Sequence, residues 1–206
     1  EELFNWLRQN PHRLHLGRVG LDCPAQLTAI RQELDLWTGI LESTFQADGK
    51  AALVRTCAHP ALDGIDVEAR SPFALVFEFP GASPEMNAAE WKKPDAHSSR
   101  AVQRGAREVE IERRQDDTRY SLRIRWSGDA AWTQDSAHRW RLTSKSGMLR
   151  FSATFSRDGG AAFAPGQGFA ASRSHWPKFW RSGAALDFGA TADSRAVEVE
   201  RRAVLS

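Results

Sequence analysis

The sequence predicts an all-β fold, an antiparallel β-sandwich followed by short helices at the C-terminus. Apolar and polar residues alternate through several segments, as they do in strands that bury one face. The pairs Asp48-Gly49 and Asp116-Asp117 separate such segments, and both are typical of hairpin turns. The alternation ends after Gly160, where helical spacing begins, so the strands are expected to precede the main helices.

The first strands are predicted between residues 30 and 80. Residues 30–46, IRQELDLWTGILESTFQ, have apolar side chains on both parities, so both faces of this region are expected to be covered. The Asp48-Gly49 turn then returns the chain as AALVRTCAH, and further strands are expected in GIDVEAR and FALVFEFP. Ahead of them, the first residues have the spacing of a short amphipathic turn that Asn10-Pro11 ends.

Two hairpins are predicted in the second half of the chain. One is REVEIERRQDDTRYSLRIRW, which turns at Asp116-Asp117, and the other joins HRWRLTS to MLRFSATFS through a turn at residues 145–147. Five glutamates in the strands alternate with apolar residues and are expected to face solvent, so they do not predict a pair of catalytic carboxylates. These residues are Glu68, Glu78, Glu108, Glu110 and Glu112.

Two helical segments are predicted after the strands. The first, in FAPGQGFAASRSHWPKFWRSG, has an apolar stripe typical of a helix that docks on a core. The stripe consists of Trp176, Phe179 and Trp180. The second, TADSRAVEVERRAVLS, is expected to begin at Asp193 or Ser194 as N-cap. It has no stop signal, so the natural chain is expected to continue into a helical domain.

Composition and charge argue against several classes of partner. The net charge of +2 is spread along the chain, whereas nucleic-acid binders cluster Lys and Arg, so neither nucleic acid nor a membrane is an expected partner. No apolar run approaches the length of a membrane span. Cys23 and Cys57 predict two buried thiols, with a single bridge as the alternative. The eight tryptophans fit a wide β-sheet core or, alternatively, sugar-stacking faces.

The sequence predicts no metal, cofactor or catalytic residue. Among the histidines only His12 and His15 approach a ligand spacing, and no His-x-His or HExxH pattern occurs. Residues 17–20, GRVG, resemble a phosphate loop but lack the strand before it and the helix after it. No Ser, Cys or His nucleophile motif occurs either.

The stretch between Phe79 and Arg100 is too long for an ordinary connection, so it is expected to be mobile or functional. It contains EWKKPDAH, which combines a stacking face, a cation, a carboxylate and an imidazole. These are Trp91, Lys93, Asp95 and His97. One interpretation is a polar loop held by its own hydrogen bonds. The other is a loop that reaches a sugar site.

Four stretches occur in the order NPHRLHLGRVGL, IRQELDLWTGILESTF, WKKPDAH, and FWRSGAALDF followed by DSRAVEVERRAVLS. Together they resemble the N-terminal region of bacterial six-hairpin glycosidase-like proteins, related in architecture to maltose and kojibiose phosphorylases. The resemblance implies a galactose-mutarotase-like β-supersandwich over residues 1–170. It further implies a helical linker over residues 171–206 that leads to an (α/α)6 barrel outside this sequence, where the catalytic acids would lie.

The resemblance also implies roles for individual residues. Trp91, Lys93, Asp95 and His97 would line the substrate side and contact a carbohydrate. A second set would fix the loop or face the barrel domain of the same chain, and it consists of Asn10, His12 and Arg13. For Trp37, packing in the core or between domains is favoured over sugar stacking.

Three functions follow as expectations. The first is the N-terminal part of a glycoside hydrolase with its catalytic barrel outside this segment. The second is a free-standing carbohydrate-binding or interaction module without catalysis. The third is an autonomous sugar epimerase of mutarotase type, which needs a His and Glu pair in a concave sheet. The sequence does not begin with Met, so we expect either a removed leader or a longer parent chain. A removed leader would imply a periplasmic or secreted location.

Overall fold

A computed structural model describes residues 1–8, 14–23, 26–84, 88–157, 159–184 and 186–205. These residues form two main antiparallel sheets that pack face to face, with short helices at the C-terminus. The predicted fold class, an all-β sandwich with C-terminal helices, is therefore confirmed.

Fourteen strands occur within the described residues. In chain order they are β1 (Arg18–Leu21), β2 (Leu27–Asp35), β3 (Ile40–Ala47), β4 (Lys50–Ala58), β5 (Gly64–Arg70), β6 (Leu75–Glu78), β7 (Gly81–Ala82), β8 (Ala89–Glu90), β9 (Ser98–Gly105), β10 (Glu108–Gln115), β11 (Thr118–Ser127), β12 (Ala130–Ser136), β13 (Arg139–Ser144) and β14 (Met148–Ser156). The smaller main sheet has the order β1-β6-β13-β12, and the larger has the order β2-β3-β4-β5-β14-β11-β10-β9. Strands β7 and β8 form a short ladder of their own.

The core lies between the two main sheets, where one parity of each strand is apolar. The largest fully buried apolar side chains are Trp140, Phe77, Phe151, Ile111, Leu122 and Ile124. Phe77 of β6 meets Phe151 of β14 edge to face, with ring centroids 5.5 Å apart, which joins the two sheets at their centre. The other parity of the larger sheet faces away from the smaller sheet, and we call that side the outer face.

Ion pairs between arginines and glutamates cover much of the outer face. The prediction that Glu110 faces solvent is wrong, because it is only 4% exposed. Arg104 and Arg123 contact its carboxylate at 2.7 and 3.2 Å and shield it from water. Burial raises the pKa of Glu110, but hydrogen bonds from Ser121 and both arginines outweigh that effect and leave the pKa below its ordinary value. The other four glutamates are half-buried.

The hairpins at Asp48-Gly49 and Asp116-Asp117 are confirmed as β3–β4 and β10–β11. The hairpin predicted for residues 138–144 and 148–156 is wrong. Strand β13 pairs with β6 and β12 in the smaller sheet, whereas β14 pairs with β5 and β11 in the larger sheet. Residues 145–147 therefore connect the two sheets. A turn sequence locates the bend, but hydrogen bonds to distant strands decide which sheet β14 joins.

The expected cover on both faces of residues 30–46 is wrong for β2, which is exposed at every position. It is the edge strand of the larger sheet, and the smaller sheet has half as many strands. A tight turn separates it from β3, since the Gly39 N–H donates to the Asp35 carbonyl at 2.7 Å. The apolar residues on both parities thus belong to two short strands and a turn.

Three α-helices lie where helical spacing was predicted: α1 (Glu2–Arg8), α2 (Gln167–Phe179) and α3 (Ala196–Leu205). A π-helical turn, Trp180–Ala184, follows α2. The expected domain boundary between residues 170 and 171 falls inside α2, and the division into two domains stays a prediction.

Asp66 of β5 anchors the start of α2 to the outer face. Its side chain is fully buried, and Oδ2 accepts hydrogen bonds from the backbone N–H groups of Gly166, Gly168 and Phe169 at 2.8, 2.8 and 3.3 Å. These bonds satisfy donors that the first turn of a helix leaves unpaired. A Cβ at Gly168 would lie 2.6 Å from the Cβ of Asp66, so only glycine permits this approach.

The rest of α2 rests on the turn between β2 and β3. Ser172 donates to the Thr38 carbonyl and the Trp180 indole donates to the Leu36 carbonyl, both at 2.6 Å. A Cβ at Gly39 would lie 2.1 Å from Nε1 of Trp176. Two members of the predicted docking stripe, Trp176 and Trp180, thus lie against the sandwich, whereas Phe179 is 40% exposed.

Both cysteines are free, and Cys57 is buried while Cys23 is half-buried. Burial, followed by the nearby Asp66 charge, raises the pKa of Cys57 to about 12, so this thiol is not a nucleophile at neutral pH. Over the described ranges, no helix combines the length and apolar character of a membrane span, and no three His, Cys, Asp or Glu side chains cluster as metal ligands.

Candidate functional site

The long segment between Phe79 and Arg100 is partly ordered by short-range structure. Strands β7 and β8 pair with each other, and a 3₁₀ helix, Pro94–Ala96, follows them. Residues 85–87 lie outside the described ranges. The His138 Nε2–H donates to the Pro94 carbonyl at 2.9 Å, which ties the 3₁₀ helix to the turn between β12 and β13.

Arg113 of β10 holds both ends of this segment. Its guanidinium is 2% exposed and donates to the Pro80 carbonyl at 2.6 Å and to the Ser98 carbonyl at 3.2 Å. It also donates to Ser99 Oγ and, at 2.8 Å, to Nδ1 of His97. Within the part of the chain that the structure describes, all hydrogen-bond partners of this guanidinium are neutral. The arginine therefore holds the loop through directional hydrogen bonds, and its buried positive charge has no carboxylate partner among the described residues.

Two imidazoles stack at the loop. The rings of His97 and His138 have centroids 3.9 Å apart and an interplanar angle of 33°. Because Arg113 donates to Nδ1 of His97, the neutral ring has its proton on Nε2. Ser99 Oγ bonds Nδ1 of His138 at 2.7 Å, so both nitrogens of His138 are occupied.

Burial, followed by the positive charges of Arg113 and His138, lowers the pKa of His97 to about 4. Burial also lowers the pKa of His138, although the bond to the Pro94 carbonyl opposes it. Both rings are neutral at pH 7 and can act there as hydrogen-bonding groups without charge.

We expect the free energy of unfolding to fall as the pH drops from 6.5 toward 4. In this window the unfolded chain protonates His97 while the folded chain does not, so protonation favours the unfolded state. Each pKa unit is worth about 1.4 kcal/mol, and solvent screening of this half-buried ring leaves about 1–2 kcal/mol. Urea denaturation at pH 7 and pH 4.5 measures the loss. It should shrink in His97→Gln and persist in His175→Gln, and equal losses in the two variants would refute this assignment.

A cavity of about 170 Å³ lies beside the stacked imidazoles. Its lining combines one indole, two carboxylates, two imidazoles and one guanidinium with a serine, two prolines and a phenylalanine. The polar and indole members are Trp91, Glu78, Glu90, His97, His138 and Arg139. The cavity thus places an aromatic surface next to hydrogen-bonding groups.

Trp91 is 47% exposed at the cavity. The Arg18 guanidinium lies 4.9 Å from its ring centroid, and His15 meets the ring edge to face at 5.8 Å. Glu78 holds Arg18 in place at 2.6 Å and also contacts Arg139 at 3.2 Å. One side of the indole is therefore fixed, and the remaining exposed surface is open to a ligand.

The structure brings together two of the four residues predicted to line a substrate site. Trp91 and His97 both line the cavity, whereas Lys93 and Asp95 are exposed and do not line it. Trp37 lies in the β2–β3 turn, 53% exposed, with the Arg181 guanidinium 5.7 Å from its ring centroid, so it is not a core residue. Asn10, His12 and Arg13 lie outside the described residues.

Among the residues of the candidate site that were missed in the sequence are Glu90, Arg113 and His138. Arg113 had a detectable signal, because it shares the buried parity of Val109 and Ile111 in a strand with very regular alternation. His138 is distant in sequence and reaches the loop only through the fold, and Glu90 is the residue next to Trp91.

No family model matches the chain, and no curated protein matches it significantly by sequence. Among the solved structures that match this chain is a protein provisionally described as a kojibiose phosphorylase, from the human microbiome. The two chains are 10% identical, with a TM-score of 0.47. The match covers 80% of this chain and 27% of that chain, so the present sequence spans about a quarter of the neighbour's length.

Proposed function

We propose that this sandwich binds a neutral sugar in the Trp91 cavity. In this proposal it is the carbohydrate-associated domain of a glycoside hydrolase whose helical-barrel catalytic domain lies outside the segment. The observation on which the proposal rests is a half-exposed indole beside rigidly held carboxylate, imidazole and guanidinium groups around a cavity of about 170 Å³.

The chemistry of the cavity suits a sugar ring. A sugar presents an apolar C–H face, which packs on an indole, and a rim of hydroxyls, which need directional donors and acceptors. Glu90 and the Nε2–H of His97 supply an acceptor and a donor, and Arg113 holds the imidazole in place. The site therefore has both an apolar platform and groups that fix orientation.

The C-terminal segment supports packing against a further domain. Its large apolar side chains are exposed, and they are Leu186, Phe188, Val197, Val199 and Leu205. Exposed apolar side chains grouped in this way are typical of a contact surface. In the proposed parent enzyme, α3 and the residues before it pack against the catalytic barrel.

Two alternatives differ from this proposal in testable ways. A free-standing module would bind sugar through the same cavity. The two proposals differ in the parent protein, which contains a catalytic barrel that hydrolyses a glycoside only if the first proposal is right. An epimerase needs a free acid–base pair. Both nitrogens of His138 are engaged and Glu78 contacts two arginines. Arg113 occupies Nδ1 of His97 and leaves that ring only an Nε2–H donor, which cannot accept a proton, so the cavity favours binding over proton transfer.

Replacing Trp91 by alanine should weaken binding of a neutral disaccharide about 10-fold or more, since central aromatic contacts contribute about 2 kcal/mol or more to binding. Isothermal titration with a panel of glucose disaccharides measures the affinity. Trp37→Ala is the matched control, because that indole is 53% exposed against 47% for Trp91. Equal loss in both variants, or none in Trp91→Ala, would refute the assignment of the sugar to this cavity.

A further inference from the structure

A second, larger cavity of about 510 Å³ opens on the outer face at the end of strands β9, β10 and β11. Its lining is mainly arginine, carboxylate and hydroxyl, and it comprises Ser98, Arg100, Glu110, Glu112, Arg114, Arg119, Ser121 and Arg157 together with Arg113, Tyr120 and Gly159. The Trp91 cavity shares none of these residues.

The carboxylates of this cavity are already neutralised. Glu110 contacts Arg104 and Arg123, and Glu112 contacts Arg100 at 2.7 Å. Their charges are therefore satisfied by arginines that lie at or beside the cavity rim.

Three arginines remain without a carboxylate partner among the described residues: Arg114, Arg119 and Arg157. Arg114 donates to the backbone carbonyl of Asp116 at 3.3 Å, a neutral acceptor. All three side chains are exposed and line the same cavity. This end of the outer face thus has three arginines that form no ion pair with a described carboxylate.

Two of these charges lie directly opposite each other. Arg114 of β10 is the cross-strand partner of Arg119 of β11, and like charges in that position repel. Arg113, whose buried guanidinium has neutral hydrogen-bond partners, adds positive potential from the other side of the same strand. An anion in the cavity would relieve both effects.

The size and polarity of the cavity limit the kind of anion. A volume of 510 Å³ falls in the range of about 300–1,000 Å³ that holds organic ligands, and is far more than an inorganic ion fills. Ser98 offers a hydroxyl at the same surface, whereas the hydroxyl of Ser121 already hydrogen-bonds Glu110. The cavity therefore suits a hydroxylated organic molecule that has an oxyanion group.

We propose that this cavity binds the carboxylate or sulfate group of an acidic saccharide through Arg114, Arg119 and Arg157. Arginine recognises both groups with paired N–H donors. That the ligand is a saccharide rests on the function proposed above, whereas the oxyanion site rests on the arginines alone. Carboxylates between the arginines of this face disfavour a continuous phosphate backbone.

Titration of the full chain with four probes tests the proposal. The probes are a galacturonic acid trisaccharide, a sulfated disaccharide, a neutral galactose disaccharide and a short single-stranded oligodeoxynucleotide. The variant Arg114→Gln/Arg119→Gln should bind the preferred acidic saccharide at least about 10-fold more weakly. Its melting temperature should equal or exceed that of the parent chain, because a like-charge pair is removed. The control Arg31→Gln/Arg195→Gln, which removes two exposed charges elsewhere, should bind as the parent chain does.

The relative affinities of the first two probes identify the oxyanion as carboxylate or sulfate. Tighter binding of the oligodeoxynucleotide than of either acidic saccharide, or an equal loss in the control, would overturn the proposal. So would failure of both acidic saccharides to bind. In that case, the function proposed above would still stand if Trp91→Ala weakened binding of the neutral disaccharide. Conversely, if the acidic saccharides bound as expected but Trp91→Ala did not weaken binding of the neutral disaccharide, only the oxyanion site would stand.

Discussion

Replacing Asp66 by alanine should lower the free energy of unfolding by about 3 kcal/mol, since each buried donor left without its partner costs about 1–3 kcal/mol. The carboxylate accepts three backbone N–H groups at the start of α2, and it is fully buried. Its loss leaves those donors unpaired beside an empty space. Urea denaturation at pH 7 measures the change.

Two further variants sharpen this result. Asp66→Asn keeps an oxygen acceptor and should lose about 1 kcal/mol, a typical value for one weakened capping bond. Asp63→Ala removes a neighbouring carboxylate that is exposed, and it should change stability by less than about 0.5 kcal/mol. A loss in Asp66→Ala no larger than that in Asp63→Ala would show that Asp66 does not anchor the helix.

The pH dependence gives the same residue a second signature. Burial raises the pKa of Asp66, and its backbone hydrogen bonds only partly offset this. The pKa of Asp66 is therefore higher in the folded chain than in the unfolded chain. The stability that this difference contributes is fully present below the unfolded-state pKa and is lost as the pH rises through the folded-state pKa. Asp66→Asn should remove that part of the pH profile.

Replacing Arg113 by methionine should also lower the free energy of unfolding by about 3 kcal/mol, because several buried acceptors lose one shared donor. Pro80, Ser98 and His97 would no longer be held together. Methionine keeps the length and the apolar stem of the side chain, so the loss reports hydrogen bonding more than volume.

Hydrogen exchange separates a local effect of this variant from a global one. Amides of residues 88–100 should lose protection in Arg113→Met well before those of β14 do, since the guanidinium orders that loop. Arg114→Met is the matched control, as its side chain is exposed on the opposite face of the same strand. Uniform loss of protection throughout the domain would contradict a local role.

The strands of the β10–β11 hairpin could be predicted from the sequence because both depend on local alternation, whereas β1, β9 and β12 were not predicted. Val109 and Ile111 in β10, and Leu122 and Ile124 in β11, bury their side chains as that pattern requires. The destination of β14 could not be predicted in the same way. Apolar and polar residues alternate in β14 just as they would in a hairpin partner of β13. The hydrogen bonds of β14, however, go to β5 and β11, which are far away in sequence.

The candidate site was predictable only in part for a related reason. Trp91 and His97 stand close together in the sequence, so their joint role had a local signal. His138 joins them only because the β12–β13 turn lies against the loop, a contact set by sheet packing. Glu110 was misplaced because its burial depends on Arg104 and Arg123, and no single strand pattern shows that neighbours will cover a charge.

The position of β14 has a consequence for how the protein forms during synthesis. The last of the described strands stands at the centre of the larger sheet, between β5 and β11, and no other described strand joins the β2–β5 half to the β9–β11 half. Until residues 148–156 leave the ribosome, both halves present an unpaired edge to their surroundings. Such long-range closure makes folding slow and leaves the nascent domain prone to aggregation, so chaperone dependence should end only once β14 has been translated.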